Sequence, residues 1–300
     1  MRYYIKAMRL PFLSGSLVPV LLAAGQAYVD GFFRGLELLL IFLGVGSLQT
    51  AANLINDYYD ARGSDPVNLH PTPFSGGSRV IPDKLLSPEK VLATAIFFFS
   101  LALSGGLVLW VMGYVYVAYV GFFGLLSAVF YSVNPIKFMS RGLGEMTIFF
   151  AFGPMVTWGT YYVLTDHLTW QSFFLGFPLG FLITAVIWIN QFPDYKADLQ
   201  ADKKNLVVRL GRSPSRWIYL FLMLLPFPFL VFLAVTQEIS FLVLSALLVL
   251  PLALKAIAIL WNHFETVEKV IPAQALTIQT HLGLGLLMLT GILAGHFLGL

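Results

Sequence analysis

Runs of about 18 to 25 mostly apolar residues begin near Leu10, Gly35, Val91, Tyr114, Leu143, Trp170, Trp217, Ser240 and Thr277, and nothing else in the chain constrains its fold as strongly. Each run is long enough to cross a hydrocarbon core of about 30 Å. With 58% hydrophobic and 11% charged residues, the chain is too apolar for a soluble domain of ordinary composition. The expectation is an all-α polytopic membrane protein, with nine transmembrane helices around a central cavity. Lipid-facing helices are apolar all round, so periodicity does not sharpen their limits. Pro19 is expected to bend the first helix, and Met112-Gly113-Tyr114 to form a very short turn between the third and fourth.

Nine crossings make the connections alternate between the two sides of the membrane, and the Lys/Arg bias then chooses the orientation. On one side fall Arg2, Lys6, Arg9, Arg62, Arg79, Lys84, Lys90, Lys137, Arg141, the run from Lys196 to Arg216, Lys255 and Lys269; only Arg34 stands opposite. The N-terminus and the long loops are therefore expected in the cytoplasm and the C-terminus outside, in a multi-pass protein of a prokaryotic plasma membrane. The basic start, Met1 to Arg9, is followed by no cleavage signature and reads as the beginning of a helix. Without cysteine there are no disulfides or thiolate metal sites, and the five scattered histidines lack zinc-type spacing. No Ser/Gly/Pro-rich linker divides the chain, so residues 1–300 read as a single transmembrane domain, with no nucleic-acid partner.

Two acidic motifs close apolar runs. Asn56-Asp57-Tyr58-Tyr59-Asp60 with Asp65 follows the second, and Asn190-Gln-Phe-Pro-Asp194-Tyr-Lys-Ala-Asp198 with Asp202 follows the sixth. Residues four apart on a helix share a face, so Asn190, Asp194, Asp198 and Asp202 form an acidic stripe about 12 Å long. Such a stripe needs a positive partner. Carboxylate and amide oxygens without imidazole or thiolate are hard ligands suited to Mg²⁺, which completes its shell with water and substrate phosphate. Pro193 is expected to bend the sixth helix or restart it. The recurrence of Asn-x-x-x-Asp divides the chain into two four-helix halves of the same orientation plus one extra helix, because an even helix count per half forces a parallel repeat.

Interleaved with the acids are Arg62, Arg79, Lys137, Arg141, Lys203, Lys204 and Arg209. Acids flanked by bases suit a polyanion bridged by a divalent metal, and a diphosphate meets that description. Phe74 to Ser87 reads as a loop with a short amphipathic segment, Val80 to Leu86, able to cover such a site. Aromatic residues facing a cavity would steady a carbocation.

At these motifs the chain resembles the UbiA superfamily of intramembrane prenyltransferases. The resemblance spans essentially the whole chain: Asn56-Asp57-x-x-Asp60, Tyr131-Ser-Val-Asn-Pro-Ile-Lys137 with Arg141-Gly-Leu-Gly-Glu145, and Asp194-x-x-x-Asp198. It implies metal ligation by Asn56, Asp60, Asp65, Asp194 and Asp198, diphosphate contacts from Asn56, Arg62, Arg79, Lys137, Arg141, Asn190 and Lys203, and catalytic roles for Asp60, Asp194, Asp198 and Lys137. Many members space the last two acids of the first motif by four, whereas Asp60 and Asp65 are five apart. Lys203-Lys204-Asn205-Leu-Val-Val-Arg-Leu-Gly211 is similar to the 1,4-dihydroxy-2-naphthoate polyprenyltransferases of menaquinone synthesis, and the Gly-Gly-Ser-Arg79 loop fits that branch.

The implied activity is Mg²⁺-dependent transfer of a polyprenyl group from an isoprenoid diphosphate to an aromatic acceptor within the bilayer. A terpene cyclase, or a transferase to another acceptor, is the nearer alternative. A cation-coupled transporter is the more distant one, since it too combines intramembrane acids with internal repeats, but it would carry its charges near the bilayer midplane rather than at one mouth. If the acids serve metal rather than packing, Asp60→Ala and Asp194→Ala are expected to abolish turnover and leave the fold intact.

Overall fold

The computed structural model describes residues 1–236 and 239–299, and every regular element among them is a helix. Seven helical stretches are long and apolar enough to cross a membrane: Arg2–Val29, Gly35–Asp60, Pro88–Val111, Trp170–Gln200, Arg212–Thr236, Phe241–His263 and Val267–Leu298. The other two expected crossings are built differently. Val117–Phe130 is an apolar helix of only 14 residues. The run after Leu143 is divided into Gly144–Phe152 and Pro154–Thr165.

The division falls where Gly153 leaves the helical region, at φ −115° and ψ −99°, and Pro154 opens the next helix. At Gly153 a Cβ would lie 2.6 Å from the Gly176 carbonyl oxygen and 2.6 Å from the Gly180 Cα, so backbone meets backbone there. Small residues that let helices approach this closely are the usual currency of packing in lipid, where van der Waals contact rather than water exclusion drives association.

Several boundaries differ from those expected. The first span breaks at Arg9, which is left-handed at φ 53°, and at the 3₁₀ turn Leu10–Leu13, which takes Pro11 in its opening turn; Pro19 stays inside the Ser14–Val29 helix. Pro193 likewise sits within the unbroken Phe177–Gln200 helix, so no restart occurs there. The last helix begins at Val267, well before Thr277, because Gln274, Thr277, Thr280 and His281 are buried against protein and hide the span from a composition reading. The Val80 to Leu86 segment is not a helix. The Leu85 and Leu86 N–H groups both donate to the Val80 carbonyl, and Val80 and Leu86 pack with Ala7, Leu54, Val91 and Ala95 beside the helix Gly35–Asp60.

The largest apolar cluster joins the two ends of the chain, with Val18 and Leu22 from the first span beside Leu284 and Met288 from the last, around Trp188 and Phe192. Trp188 is almost fully buried and donates its indole N–H to the Ser215 carbonyl at 3.0 Å, which satisfies its one polar atom. By contrast the helix Pro88–Val111 exposes Phe97, Leu103, Leu107 and Trp110, a lipid-facing side. The packed half of the molecule therefore carries the Phe177–Gln200 helix that bears the second acidic motif.

Candidate active site

Both acidic motifs finish their helices at one cavity of about 110 Å³. Asn56 and Asp60 come from the last turns of the helix Gly35–Asp60, and Asp65 from the 3₁₀ turn Asp65–Val67. Asn190, Asp194 and Asp198 lie on the helix Phe177–Gln200 at the four-residue spacing that shares a face, and Lys203 follows just beyond it. All seven line the cavity. Asp202 does not; the helix has ended at Gln200, and Asp202, left-handed at φ 55°, pairs at the surface with Lys204 at 2.8 Å.

Asp194 is held by the connection that follows the first motif. Its Oδ1 accepts from Asn68 Nδ2 at 2.9 Å and Ser75 Oγ at 3.1 Å, and its Oδ2 from the Gly76 N–H at 3.0 Å. The first half of the chain thus reaches across the cavity and binds a carboxylate of the second. Asp60 Oδ2 accepts from Asn56 Nδ2 at 3.1 Å and from Lys203 Nζ at 2.8 Å. Asp198 Oδ2 accepts from Asn205 Nδ2 at 2.8 Å, while its Oδ1 lies 3.7 Å from Lys203 Nζ. Asn205 has a second task, since its Oδ1 caps the Leu206–Leu210 helix by accepting from the Val208 N–H.

Lys203 is the counter-charge of the site. Burial opposes its ammonium, yet the Asp60 and Asp198 carboxylates outweigh it and hold the pKa well above the ordinary lysine value. Asp65 moves the other way. Burial, reinforced by the Asp60 and Asp57 carboxylates and opposed by Lys203 and Arg79, raises it from 3.8 to about 8. Gly77, left-handed at φ 71°, leaves room for that carboxylate: a Cβ there would sit 2.8 Å from Asp65 Oδ2.

Four of the expected basic residues do not line the cavity. Arg62 is exposed and lies over the Tyr58 ring at 4.6 Å. Arg79 stands behind Asp65, donating from Nη1 to its carbonyl at 2.5 Å and lying 3.5 Å from Asp83. Arg141 is exposed and donates to the Pro135 carbonyl at 2.7 Å. Lys137, expected to be catalytic, is left-handed at φ 48° just before the Phe138–Arg141 helix, and the residues of this stretch that line the cavity are Tyr131 and Met139.

The basic lining comes instead from Lys203 and Arg9, the latter reaching the Phe74 carbonyl at 3.5 Å. Sequence reasoning had counted Arg9 only as a topology signal. Asn68 and Ser75 carry no local pattern that would single them out. Gln191 does: it is an uncharged amide closing an apolar run, and polar groups inside a span are costly unless used.

The donor set fits Mg²⁺. It consists of carboxylate and amide oxygens alone, and part of it remains open: among the described residues Asp60 Oδ1 and the Asp65 carboxylate accept no hydrogen bond, and Asp194 Oδ2 accepts one. Among the described residues no three Asp, Glu or His side chains cluster closely enough to enclose an ion unaided.

Residues 16–273 match the model of the UbiA prenyltransferase family. The chain is 28% identical over 256 residues to UbiA prenyltransferase domain-containing protein 1 of Xenopus tropicalis, covering 83% of this chain and 71% of that one. It is also 28% identical over 218 residues to the 1,4-dihydroxy-2-naphthoate octaprenyltransferase of Mycobacterium tuberculosis, covering 72% of each. Among solved structures, a UbiA homologue from Aeropyrum pernix K1 superposes with a TM-score of 0.69 at 12% identity, over 92% of this chain and 97% of that one. A UbiA homologue from Archaeoglobus fulgidus bound to GPP and Mg²⁺ superposes with a TM-score of 0.65 at 13% identity, over 96% and 99%.

Proposed function

Because this chain belongs to the UbiA prenyltransferase family, we propose that it transfers a polyprenyl group from an isoprenoid diphosphate to 1,4-dihydroxy-2-naphthoate, at the cavity where its two acidic motifs meet. The observation that carries this reading is the joint lining of one cavity by Asn56, Asp60, Asp65, Asn190, Asp194, Asp198 and Lys203. The naphthoate acceptor draws its support from the mycobacterial relative. The Lys/Arg bias supports a mouth that opens on the cytoplasmic side.

Asn56, Asp60, Asp65, Asp194 and Asp198 are the residues that would hold Mg²⁺. When bound, it would act as a Lewis acid toward the departing diphosphate. Lys203 and Arg9 bring positive charge to the same wall and would bind the diphosphate oxygens, Lys203 by exchanging carboxylate partners for phosphate ones. The bond between the allylic carbon and the diphosphate oxygen breaks with both electrons leaving on oxygen. The ring carbon that bears the acceptor's carboxylate then closes the new C–C bond, and the ring regains its aromaticity as that same carbon releases the carboxylate as carbon dioxide, the C–C bond electrons returning to the ring. Tyr131 and Phe74 line the cavity and offer ring faces to the developing cation.

Purified protein with Mg²⁺, a labelled prenyl diphosphate and a panel of aromatic acids should yield a prenylated naphthalene, identified by mass. A cyclic hydrocarbon formed without any acceptor would replace this reading with the cyclase.

A further inference from the structure

Directly beneath the acids lies a layer of amides. Asn190 and Gln191 line the cavity about one helical turn, roughly 6 Å, deeper along their helix than Asp194. Gln274 of the last helix donates from Nε2 to Asn190 Oδ1 at 2.8 Å. Gln191 donates from Nε2 to Glu145 Oε1 at 2.8 Å, and the Leu206 N–H donates to the same oxygen at 3.1 Å. Glu145 opens the Gly144–Phe152 helix beside Tyr131, a lining residue whose ring lies 3.1 Å from where a Cβ on Gly144 would be.

These bonds leave a one-sided remainder. Among the described residues Gln191 Oε1, Glu145 Oε2 and Gln274 Oε1 are buried and have no partner, in residues only 9%, 4% and 0% exposed; Gln191 lines the cavity itself, and Glu145 and Gln274 stand one hydrogen-bonded contact behind its wall. All three are acceptors. The Gln191 amide cannot turn over to relieve this, because its N–H₂ is committed to the Glu145 carboxylate. A prenyl tail at this level would leave the acceptors without a donor. An anionic group would be repelled by Glu145. What answers them is a ligand edge that donates: a hydroxyl on a ring.

Position agrees with chemistry. In the transfer reading the allylic carbon is bonded to a diphosphate held at the acids and the attacking ring carbon comes within about 3.5 Å of it, which puts the amide level within reach of the acceptor ring.

Resting on the transfer reading above, we propose that Gln191 and Glu145 form the acceptor subsite, taking a hydrogen bond from a ring hydroxyl of the aromatic nucleophile and turning its carboxylate edge away. The class of acceptor selected is a phenol or hydroquinone with that hydroxyl free. Gln191 and Glu145 are positioning residues; neither touches the diphosphate.

The test uses the purified enzyme with Mg²⁺ and a labelled prenyl diphosphate, offering 1,4-dihydroxy-2-naphthoate or its mono-methyl ethers. Wild type should prefer the free hydroxyl at one ring position by about tenfold or more in kcat/KM. Gln191→Met should raise the acceptor KM about tenfold, reduce that preference to within twofold, and leave the Kd for the prenyl diphosphate unchanged by calorimetry. Glu145→Gln, which keeps the accepting oxygen and replaces the orphaned one with a donor, should reverse the preference toward the ether; it stands as an independent check should Gln191→Met fold poorly. Product formed with the preference unaltered in both variants overturns the subsite, and would mean that the orphaned oxygens hold only water. Equal loss of acceptor and prenyl diphosphate affinity overturns it as well. Absence of any prenylated product from wild type, despite prenyl diphosphate binding, overturns the transfer reading and the subsite with it.

Discussion

At the scale of single residues the site is an electrostatic compromise made before any ligand arrives. Lys203 lies 2.8 Å from Asp60 and 3.7 Å from Asp198, where it offsets part of the negative charge that the two motifs bring together. Asp65 is left with less compensation, and its carboxyl is raised to about 8 by burial and by its acidic neighbours. The folded chain therefore holds a proton there that the unfolded chain releases near 3.8, and the stability this proton confers is present at low pH and lost as pH rises through about 8. In detergent, the melting temperature without ligands should fall by several degrees between pH 5 and pH 8, and Asp65→Asn should flatten that slope. Mg²⁺ added with a prenyl diphosphate should flatten it in wild type too, since binding favours the deprotonated acid. A slope unchanged by Asp65→Asn would assign the pH dependence to another group. Asp65 was visible in the sequence only as an acid at the wrong spacing, and its place in the cavity depends on a 3₁₀ turn that no motif announces.

At the scale of elements, the connection between the second and third spans has a larger part than a cover. Asn68, Ser75 and Gly76 bind Asp194, and the Ser78 N–H binds Asp57 Oδ1 at 3.2 Å, so the loop ties the two acidic helix ends together. Asp194 therefore serves structure as well as any metal, and the expectation that Asp60→Ala and Asp194→Ala behave alike does not follow. Asp194→Ala removes the acceptor of three hydrogen bonds and should free the loop: limited proteolysis between residues 61 and 87 should quicken at least tenfold relative to wild type. Asp60→Ala should leave the cleavage rate within about twofold. Equal protection of the two variants would show that the loop is held by its apolar anchors, Val80 and Leu86, instead. Those anchors also explain why the segment around them is not helical, because two N–H groups converge on one carbonyl and point both side chains into the same apolar cluster.

At the scale of the whole molecule, the orientation we propose in the bilayer rests on the Lys/Arg bias, which with nine crossings puts 17 of 18 Lys and Arg residues on one side. The chain has no cysteine, so single cysteines report position without background. Leu69→Cys, in the loop and 82% exposed, should react with an impermeant maleimide only from the cytoplasmic face, and Phe33→Cys, 75% exposed beside Arg34, only from the other. Labelling of both from the same side would refute the assigned topology. What the sequence by itself determined was the all-helical membrane fold, the charge asymmetry and the identity of the acids, because long apolar runs and four-residue spacings are local properties that survive in one dimension. Only the tertiary structure decided which acids face one another, that Lys203 rather than Lys137 lies among them, and that Gln191 and Glu145 keep oxygens unpaired beneath them. Those facts depend on which helix ends come together, and contacts such as Asn68 and Ser75 on Asp194 join positions far apart along the chain that no local pattern relates.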